Sequence, residues 1–148
     1  MKILIDTNVA LDILLNRPDY INAALIFSLT KQNVIESYIS ASAITDVFYI
    51  SRKELGKKDA KESLKKLLQI FKPAAVTDNL IFQALDLNWE DFEDSVQYVV
   101  GESFFADYIV TRNTHDYASG SIPAVTPEQF IQIIAKDAEE KKLPNSNH

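Results

Sequence analysis

Cysteine is absent from this sequence of 148 residues. Disulfide cross-links and thiolate metal sites are therefore excluded, and the composition is compatible with a reducing cytoplasm. Histidine is nearly absent as well, since there are two and one of them is the terminal His148. The side chains available for chemistry are mainly carboxylates, amides, hydroxyls and amines.

Long hydrophobic runs are also missing. The sequence has no run of about eighteen apolar residues, the length that could span a membrane. Asp6 also interrupts the apolar segment near the N-terminus. We therefore expect a soluble, cytoplasmic protein with no membrane partner. The length fits one domain. We expect residues 1–136 to form this domain, and residues 137–148 to form the end of a helix and a flexible tail.

The formal net charge of −6 argues against a general nucleic-acid binder, because such proteins usually carry a basic excess. The charge is nevertheless segregated. Residues 52–66 contain seven basic and three acidic side chains, whereas residues 86–116 contain eight acidic side chains and one basic. The lysine-rich segment is most simply a solvated helix face, and its functional alternative is a surface that guides RNA phosphate to an acidic site.

Short apolar runs alternate with helical patterns along the chain. The runs predict strands near residues 2–5, 37–41, 73–77, 107–111 and 122–125. Strands that alternate with helices are typical of a mostly parallel sheet covered on both faces, in which sites form beyond the carboxyl ends of the strands.

Three helix starts carry capping signals. Asp19 is the expected N-cap of a helix over 20–32, with Ile21, Ala24, Leu25 and Leu29 facing inward. Asp59 and Glu62 match a capping box for the next lysine-rich helix. Thr126 and Gln129, with Pro127 between them, predict the start of a C-terminal helix.

Acidic residues follow several of the predicted strands. Asp6 ends the first, Asp46 lies early in the helix after the second, Asp91 and Asp94 begin a later helix, and Asp116 follows the fourth. Each has a structural alternative. Asp6 can cap a helix, Asp46 can be an acid that the helix dipole stabilises near the N-terminus, and Asp91 and Asp94 can be a solvated helix start.

Carboxylates gathered at one edge of a sheet repel each other unless a cation neutralises them. Oxygen ligands, with no cysteine and hardly any histidine, favour Mg²⁺ or Mn²⁺ over zinc. Such an ion makes bound water nucleophilic and polarises a phosphoryl oxygen. The pattern therefore predicts hydrolysis of phosphodiester bonds.

Five segments in order resemble the PIN-domain ribonucleases, especially bacterial toxins of the VapC type: ILIDTNVALD, the acid in ITDVFYI, DFEDSVQY, ADYIVTRNTHDY and IPAVTPEQFI. The resemblance extends from residue 1 to about residue 134. It implies a Rossmann-like three-layer α/β/α sandwich and cleavage of RNA with Mg²⁺ or Mn²⁺. It also implies a cognate antitoxin and a homodimer as expected partners.

The resemblance assigns the metal-binding and catalytic roles to Asp6, Asp46, Asp94 and Asp116. Supporting roles fall to Thr7, Asn8, Asp91, Thr111 and Asn113. Apart from the resemblance, Arg112 beside the acids and Lys53 in the lysine-rich segment are candidates for substrate binding. Asp46 stands where the family more often has glutamate, and Asn113 where it commonly has aspartate. Asn113 cannot supply a negative charge, so either Asp116 substitutes for it or the site holds only one ion firmly.

Three other functions are compatible with acids at the rim of a parallel sheet. A phosphorylated receiver domain needs an acidic pair after the first strand, and a haloacid-dehalogenase-type phosphatase needs a second aspartate at position 8, which is asparagine. Both are disfavoured. The third is a degenerate PIN-like module that binds RNA or a protein without cleavage, and Asn113 is the residue in its favour.

Overall fold

The computed structural model describes residues 1–18 and 20–142. In this part of the chain, five strands form one sheet: β1 (Lys2–Ile5), β2 (Glu36–Ser40), β3 (Lys72–Ala74), β4 (Tyr108–Val110) and β5 (Ala124–Val125). The helices are α1 (Thr7–Leu14), α2 (Tyr20–Lys31), α3 (Ala41–Leu55), α4 (Lys57–Leu68), α5 (Asp78–Asp86), α6 (Phe92–Ser103) and α7 (Pro127–Lys142). A 3₁₀ turn covers Thr114–Tyr117.

The sheet is parallel throughout, with the strand order β3-β2-β1-β4-β5. The central strand, β1, pairs Ile3 with Ser37 of β2 on one side and with Tyr108 of β4 on the other. The chain order reverses direction at β1, so the carboxyl end of this strand is where a site is expected.

Side chains of β1 alternate between two separate hydrophobic cores. Ile3 and Ile5 belong to a core with residues of α1, α2, α3, α4 and α7, whereas Leu4 belongs to one with residues of α5 and α6. All three are completely buried. Helices therefore cover both faces of the sheet, which confirms the predicted three-layer α/β/α sandwich.

The ends of several helices follow the predicted chemistry. At the start of α7, Thr126 Oγ1 accepts from the N–H of Gln129 at 3.1 Å, and Gln129 Oε1 accepts from the N–H of Thr126 at 2.9 Å. The expected capping box is therefore present. Gly56, at φ 80°, stands between α3 and α4, where a left-handed backbone suits glycine.

Two helix predictions are wrong. Within α2, Ile21 and Leu25 are 64% and 45% exposed, while Ala23 and Ile26 are buried, because apolar residues occur on several sides of this helix and its sequence does not define one inner face. For α4, the helix begins at Lys57, so the predicted capping box of Asp59 and Glu62 lies inside the helix rather than at its start.

Two other predictions fall wholly or partly on residues that the structure does not describe. The proposed N-cap residue Asp19 lies outside the described residues, as do residues 143–148 of the predicted tail. Within residues 137–148, α7 continues through Lys142, so the predicted helix end lies there. No helix within residues 1–18 and 20–142 is long and apolar enough to cross a membrane.

Candidate active site

Asp6 lies between β1 and α1, at the carboxyl end of the central strand, and it both caps α1 and faces a cavity. Its Oδ1 accepts from the Thr7 N–H at 2.8 Å and from Gln97 Nε2 at 3.3 Å. Its Oδ2 accepts from Thr111 Oγ1 at 2.7 Å. The two interpretations of Asp6 are therefore compatible, and three neutral donors hold the carboxylate in place.

The structure brings the four predicted acids to one open cavity of about 680 Å³. Asp46 reaches it from the second turn of α3, Asp94 from the first turn of α6 and Asp116 from the 3₁₀ turn after β4. Glu93, which the sequence analysis did not select, also lines it. Five carboxylates from four segments of the chain consequently share one space.

Of the residues assigned supporting roles, Thr7, Asn8 and Asn113 line this cavity directly. Thr111 is completely buried beneath Asp6, and its Oγ1 also accepts from the Asn113 N–H at 3.0 Å. Asp91 caps α6 by accepting from the Asp94 N–H at 3.1 Å, and it lines an adjacent cavity together with Asp94 and Asp116.

The residues assigned to substrate binding lie outside the cavity lining. Arg112 turns toward the buried Asp12, with 3.6 Å between Arg112 Nε and Asp12 Oδ2. Asp12 also pairs with Arg17, at 3.7 Å between Oδ1 and Nη1. Lys53 is exposed near the end of α3, on the helix that presents Asp46 and Ile50 to the cavity. Because these three residues are four and three positions apart, Lys53 continues the cavity-facing side of α3.

The electrostatics of the cavity are uncompensated. Among the described residues that line it, there is no lysine, arginine or histidine. The pKa of Asp94 is raised to about 6, mainly by burial and then by the charges of Asp91, Asp116 and Asp6, while Tyr117 opposes the change. The carboxylates therefore interact through space with no basic side chain among them.

Tyr117 and Gln97 are polar residues that the sequence analysis missed. Tyr117 is 1% exposed and packs edge-on against Trp89. Its buried hydroxyl forms no hydrogen bond of good geometry, but the Asp94 carboxylate is close enough to affect its pKa. Burial, followed by the nearby acids, raises the pKa of this hydroxyl. Gln97 is 5% exposed and contacts Asp6 directly.

A signal for Gln97 exists in the sequence, whereas none exists for Tyr117. Gln97 is an amide one turn after Asp94 in the otherwise apolar stretch VQYVV, so it shares a helix face with an acid. The position of Tyr117 depends on a 3₁₀ turn that no periodic pattern announces.

The donor set fits a hard divalent cation that keeps part of its water shell. All polar side chains lining the cavity offer oxygen, or nitrogen from an amide, and the acids carry excess negative charge. Within the described ranges, no three histidine or acidic side chains are close enough together to enclose an ion. Mg²⁺ commonly binds through only one or two carboxylates and retains several waters, so this arrangement suits it.

Known proteins share both the sequence pattern and the fold of this chain. The chain is 27% identical over 137 residues to ribonuclease VapC1 of Aquifex aeolicus, which covers 88% of this chain and 94% of that protein. The solved structure of VapBC2 from Rickettsia felis, bound to a promoter DNA fragment, matches with a TM-score of 0.67 and 18% identity, over 85% of this chain and 98% of the other. A toxin-antitoxin complex from Klebsiella pneumoniae matches with a TM-score of 0.60 and 21% identity, over 84% and 96%.

The family model for the PIN domain matches residues 2–115. This span contains β1 to β4 and three of the four predicted acids, Asp6, Asp46 and Asp94. Together with the parallel sheet and the acidic cavity at its carboxyl edge, this match shows that the chain belongs to the PIN-domain family.

Proposed function

We propose that this protein is a metal-dependent endoribonuclease that hydrolyses RNA phosphodiester bonds. The observation that carries the proposal is the cavity in which five carboxylates gather with no basic side chain among the described lining residues. A divalent cation would neutralise these carboxylates and activate water there. The similarity to a ribonuclease supports RNA as the substrate.

In this proposal, Asp6, Asp46, Asp94 and Asp116 would hold Mg²⁺ or Mn²⁺, one or two of them directly and the others through waters that the ion retains. When bound, such an ion would supply a water nucleophile and charge stabilisation at the scissile phosphate. The chain itself orients the carboxylates: Thr111 and the Thr7 N–H hold Asp6, and the Asp91 cap holds the first turn of α6 beneath Asp94. Asn8 and Asn113 offer polar groups to water or substrate at the cavity wall.

The non-catalytic alternative rests on Asn113, an amide where the family commonly has an acid. Asp116 weakens that alternative, because it lines the same cavity as Asp6, Asp46 and Asp94 and restores a fourth carboxylate. We therefore favour catalysis. Membership of the PIN family also removes the receiver-domain and phosphatase alternatives.

We further propose that the protein is the toxin of a toxin-antitoxin pair, acts in the cytoplasm and forms a homodimer. The structural likeness to a toxin-antitoxin complex supports the first point. Exposed apolar side chains on α3 and α5 support the last, including Tyr49, Phe82 and Leu85 at 57%, 65% and 56% exposure. We propose residues 1–136 as the nuclease domain.

The decisive experiment is an RNA cleavage assay with purified protein. We expect cleavage with Mg²⁺ or Mn²⁺, none in EDTA, and a loss of more than about 100-fold for Asp6→Asn and Asp94→Asn, since even residues that only orient metal ligands are often worth 10–100-fold. Asp86→Asn, an exposed acid of α5 outside the cavity lining, is the matched control and should retain full activity.

The outcome that contradicts the proposal is cleavage that persists in EDTA or in both variants. Complete inactivity of the wild type toward single-stranded and structured RNA, with intact folding, favours the non-catalytic alternative. In cells, expression of the wild type alone should arrest growth, and expression of Asp6→Asn should not.

A further inference from the structure

Gln97 is a buried amide that bridges two parts of the site. It lies on α6, one turn after Asp94, and it is 5% exposed. Its Nε2 donates to Asp6 Oδ1 at 3.3 Å, and its Oε1 accepts from Ser40 Oγ. The two hydrogen bonds connect residues that are far apart in sequence, at the ends of β1 and β2.

The chemistry of these groups fixes the direction of every donor in this connection. A carboxylate only accepts, so Gln97 must present its NH₂ group to Asp6. Its carbonyl oxygen then faces Ser40, whose hydroxyl must donate. The Ser40 oxygen also accepts from the Ala43 N–H at 3.1 Å, as the N-cap of α3. The amide consequently has one orientation that satisfies both neighbours.

The hydrogen bond from Gln97 also distinguishes the two oxygens of Asp6. A carboxylate oxygen has about two acceptor sites. Oδ1 accepts from both the Thr7 N–H and Gln97, so its sites are filled, whereas Oδ2 accepts only from Thr111. The remaining acceptor site therefore lies on Oδ2, and a rotation of the carboxylate would break at least one of three bonds.

Gln97 does this without adding positive charge. A lysine or arginine at the same place would neutralise Asp6 and reduce its attraction for a cation. An amide cannot ionise, so Asp6 keeps its full negative charge while its orientation is fixed. The same amide ties the N-terminus of α3, which carries Asp46, to α6, which carries Asp94.

We infer that Gln97 is a positioning residue of the metal site, which orients Asp6 through its amide and holds the α3 and α6 acids in register through Ser40. This inference rests on the proposed function, because the ligand is a divalent cation. It assigns Gln97 no contact with substrate or with the cation itself.

The test compares Gln97→Met with Thr30→Val. Methionine keeps the length and burial of glutamine but removes both hydrogen bonds. Thr30→Val likewise removes two buried hydrogen bonds outside the acidic cavity lining: one of 2.8 Å, donated to the Ile26 carbonyl oxygen, and one of 2.7 Å with the Ser37 hydroxyl. It therefore controls for a general loss of stability. For all three proteins we would measure Mn²⁺ affinity by calorimetry, thermal unfolding without metal, and the crystal structure without metal.

We expect Gln97→Met to weaken Mn²⁺ binding by about 10- to 100-fold, as is typical for groups that orient metal ligands. Its metal-free crystal structure should show the Asp6 carboxylate rotated away from its three-donor arrangement. Thr30→Val should bind Mn²⁺ like the wild type even if its melting temperature falls equally.

Two results overturn the inference: an Asp6 carboxylate that keeps its orientation in Gln97→Met, or equal weakening of Mn²⁺ binding in Gln97→Met and Thr30→Val. Failure of the proposed function is recognised separately, because it appears as a wild type that binds neither Mn²⁺ nor Mg²⁺. In that case the metal-free crystal structures still decide whether Gln97 positions Asp6.

Discussion

At the residue scale, Asp94 is the acid whose pKa the site raises toward neutral pH. Its pKa is raised from 3.8 to about 6, first by burial and then by Asp91, Asp116 and Asp6. A raised carboxyl pKa means that the folded state resists ionisation of this group more than the unfolded chain does. The contribution of Asp94 to stability is therefore complete below pH 3.8 and is lost as the pH rises through about 6.

Asp94→Asn should consequently raise the melting temperature of the metal-free protein at pH 7–8. Solvent screening limits the effect to roughly 1 kcal/mol, which corresponds to about 2–4 °C for a domain of this size. The difference from the wild type should disappear near pH 4. Differential scanning calorimetry in EDTA measures it, with Asp86→Asn as the control.

Saturating Mg²⁺ should reverse this order, because a ligand that binds only the folded wild type stabilises it. A melting-temperature difference that is the same at pH 4 and pH 8 would contradict this account of Asp94.

The sequence predicts which acids lie near each other, but it does not predict the neutral residues that contact them. Asp6, Asp46 and Asp116 each follow a predicted strand, so the sequence predicts that they lie at one edge of the sheet, and the structure places all three in one cavity. Gln97 carries a weak signal, as an amide one turn after Asp94 in an apolar stretch, but its hydrogen bond to Asp6 depends on a neighbour in space. Tyr117 gives no pattern until its neighbours in space are known.

At the element scale, the pair Arg112 and Asp12 joins the segment after β4 to α1. The Asp12 side chain is 2% exposed and has guanidinium groups of both Arg112 and Arg17 beside it. Removing a partner from a buried carboxylate is destabilising. Arg112 therefore has a structural role, although its position next to Thr111 in the site suggested substrate binding.

Arg112→Ala should therefore change mainly the stability of the protein, and Lys53→Ala mainly the KM for RNA. We expect Arg112→Ala to lower stability by about 1–3 kcal/mol, since Arg17 still partners Asp12. Lys53→Ala should leave stability within about 0.5 kcal/mol, because the side chain is exposed, and raise the KM for RNA by about 2- to 5-fold at low salt. Urea unfolding and steady-state cleavage are the two measurements.

The two variants serve as controls for each other. Arg112→Ala with unchanged stability and greatly reduced cleavage would return Arg112 to the substrate-binding role that the sequence suggested. A KM for Lys53→Ala that equals the wild-type value at low and high salt would remove Lys53 from that role.

Elements with redundant signals were predicted accurately, and those with one signal were not. The start of α7 combines a threonine cap, a proline and a glutamine, and it was correct. The inner face of α2 rested on periodicity in a helix whose apolar residues are spread around its axis, so competing faces were equally consistent with the sequence. Tertiary packing against α7 and α1 decides which face is buried.

At the scale of the whole molecule, the parallel direction of the strands could be predicted from the alternation of strands and helices alone. Short apolar strands separated by helices leave few alternatives to crossovers of one hand. The identity of the outer surfaces could not, because exposed and buried apolar residues look alike in a sequence. Tyr49, Phe82 and Leu85 are examples, since they lie on helices yet remain more than half exposed.

These three side chains lead to a prediction about assembly. Phe82→Glu combined with Leu85→Glu should convert a homodimer into monomers, because charges would replace apolar surface on α5. Phe105→Asn is the control, because Phe105 is 85% exposed but lies in the turn before β4. Size-exclusion chromatography with light scattering measures the mass, and a wild type that is monomeric at micromolar concentration would refute the proposed dimer.

The buried Phe130 has a consequence for dissecting this protein. It lies at 0% exposure in the core that includes Ile3 and Ile5, and its ring is 5.9 Å from that of Tyr108. A fragment ending at residue 115, where the family match stops, would lose Phe130, β5 and Asp116 together. The span matched by the family model is therefore shorter than the span that must be synthesised before the core can close.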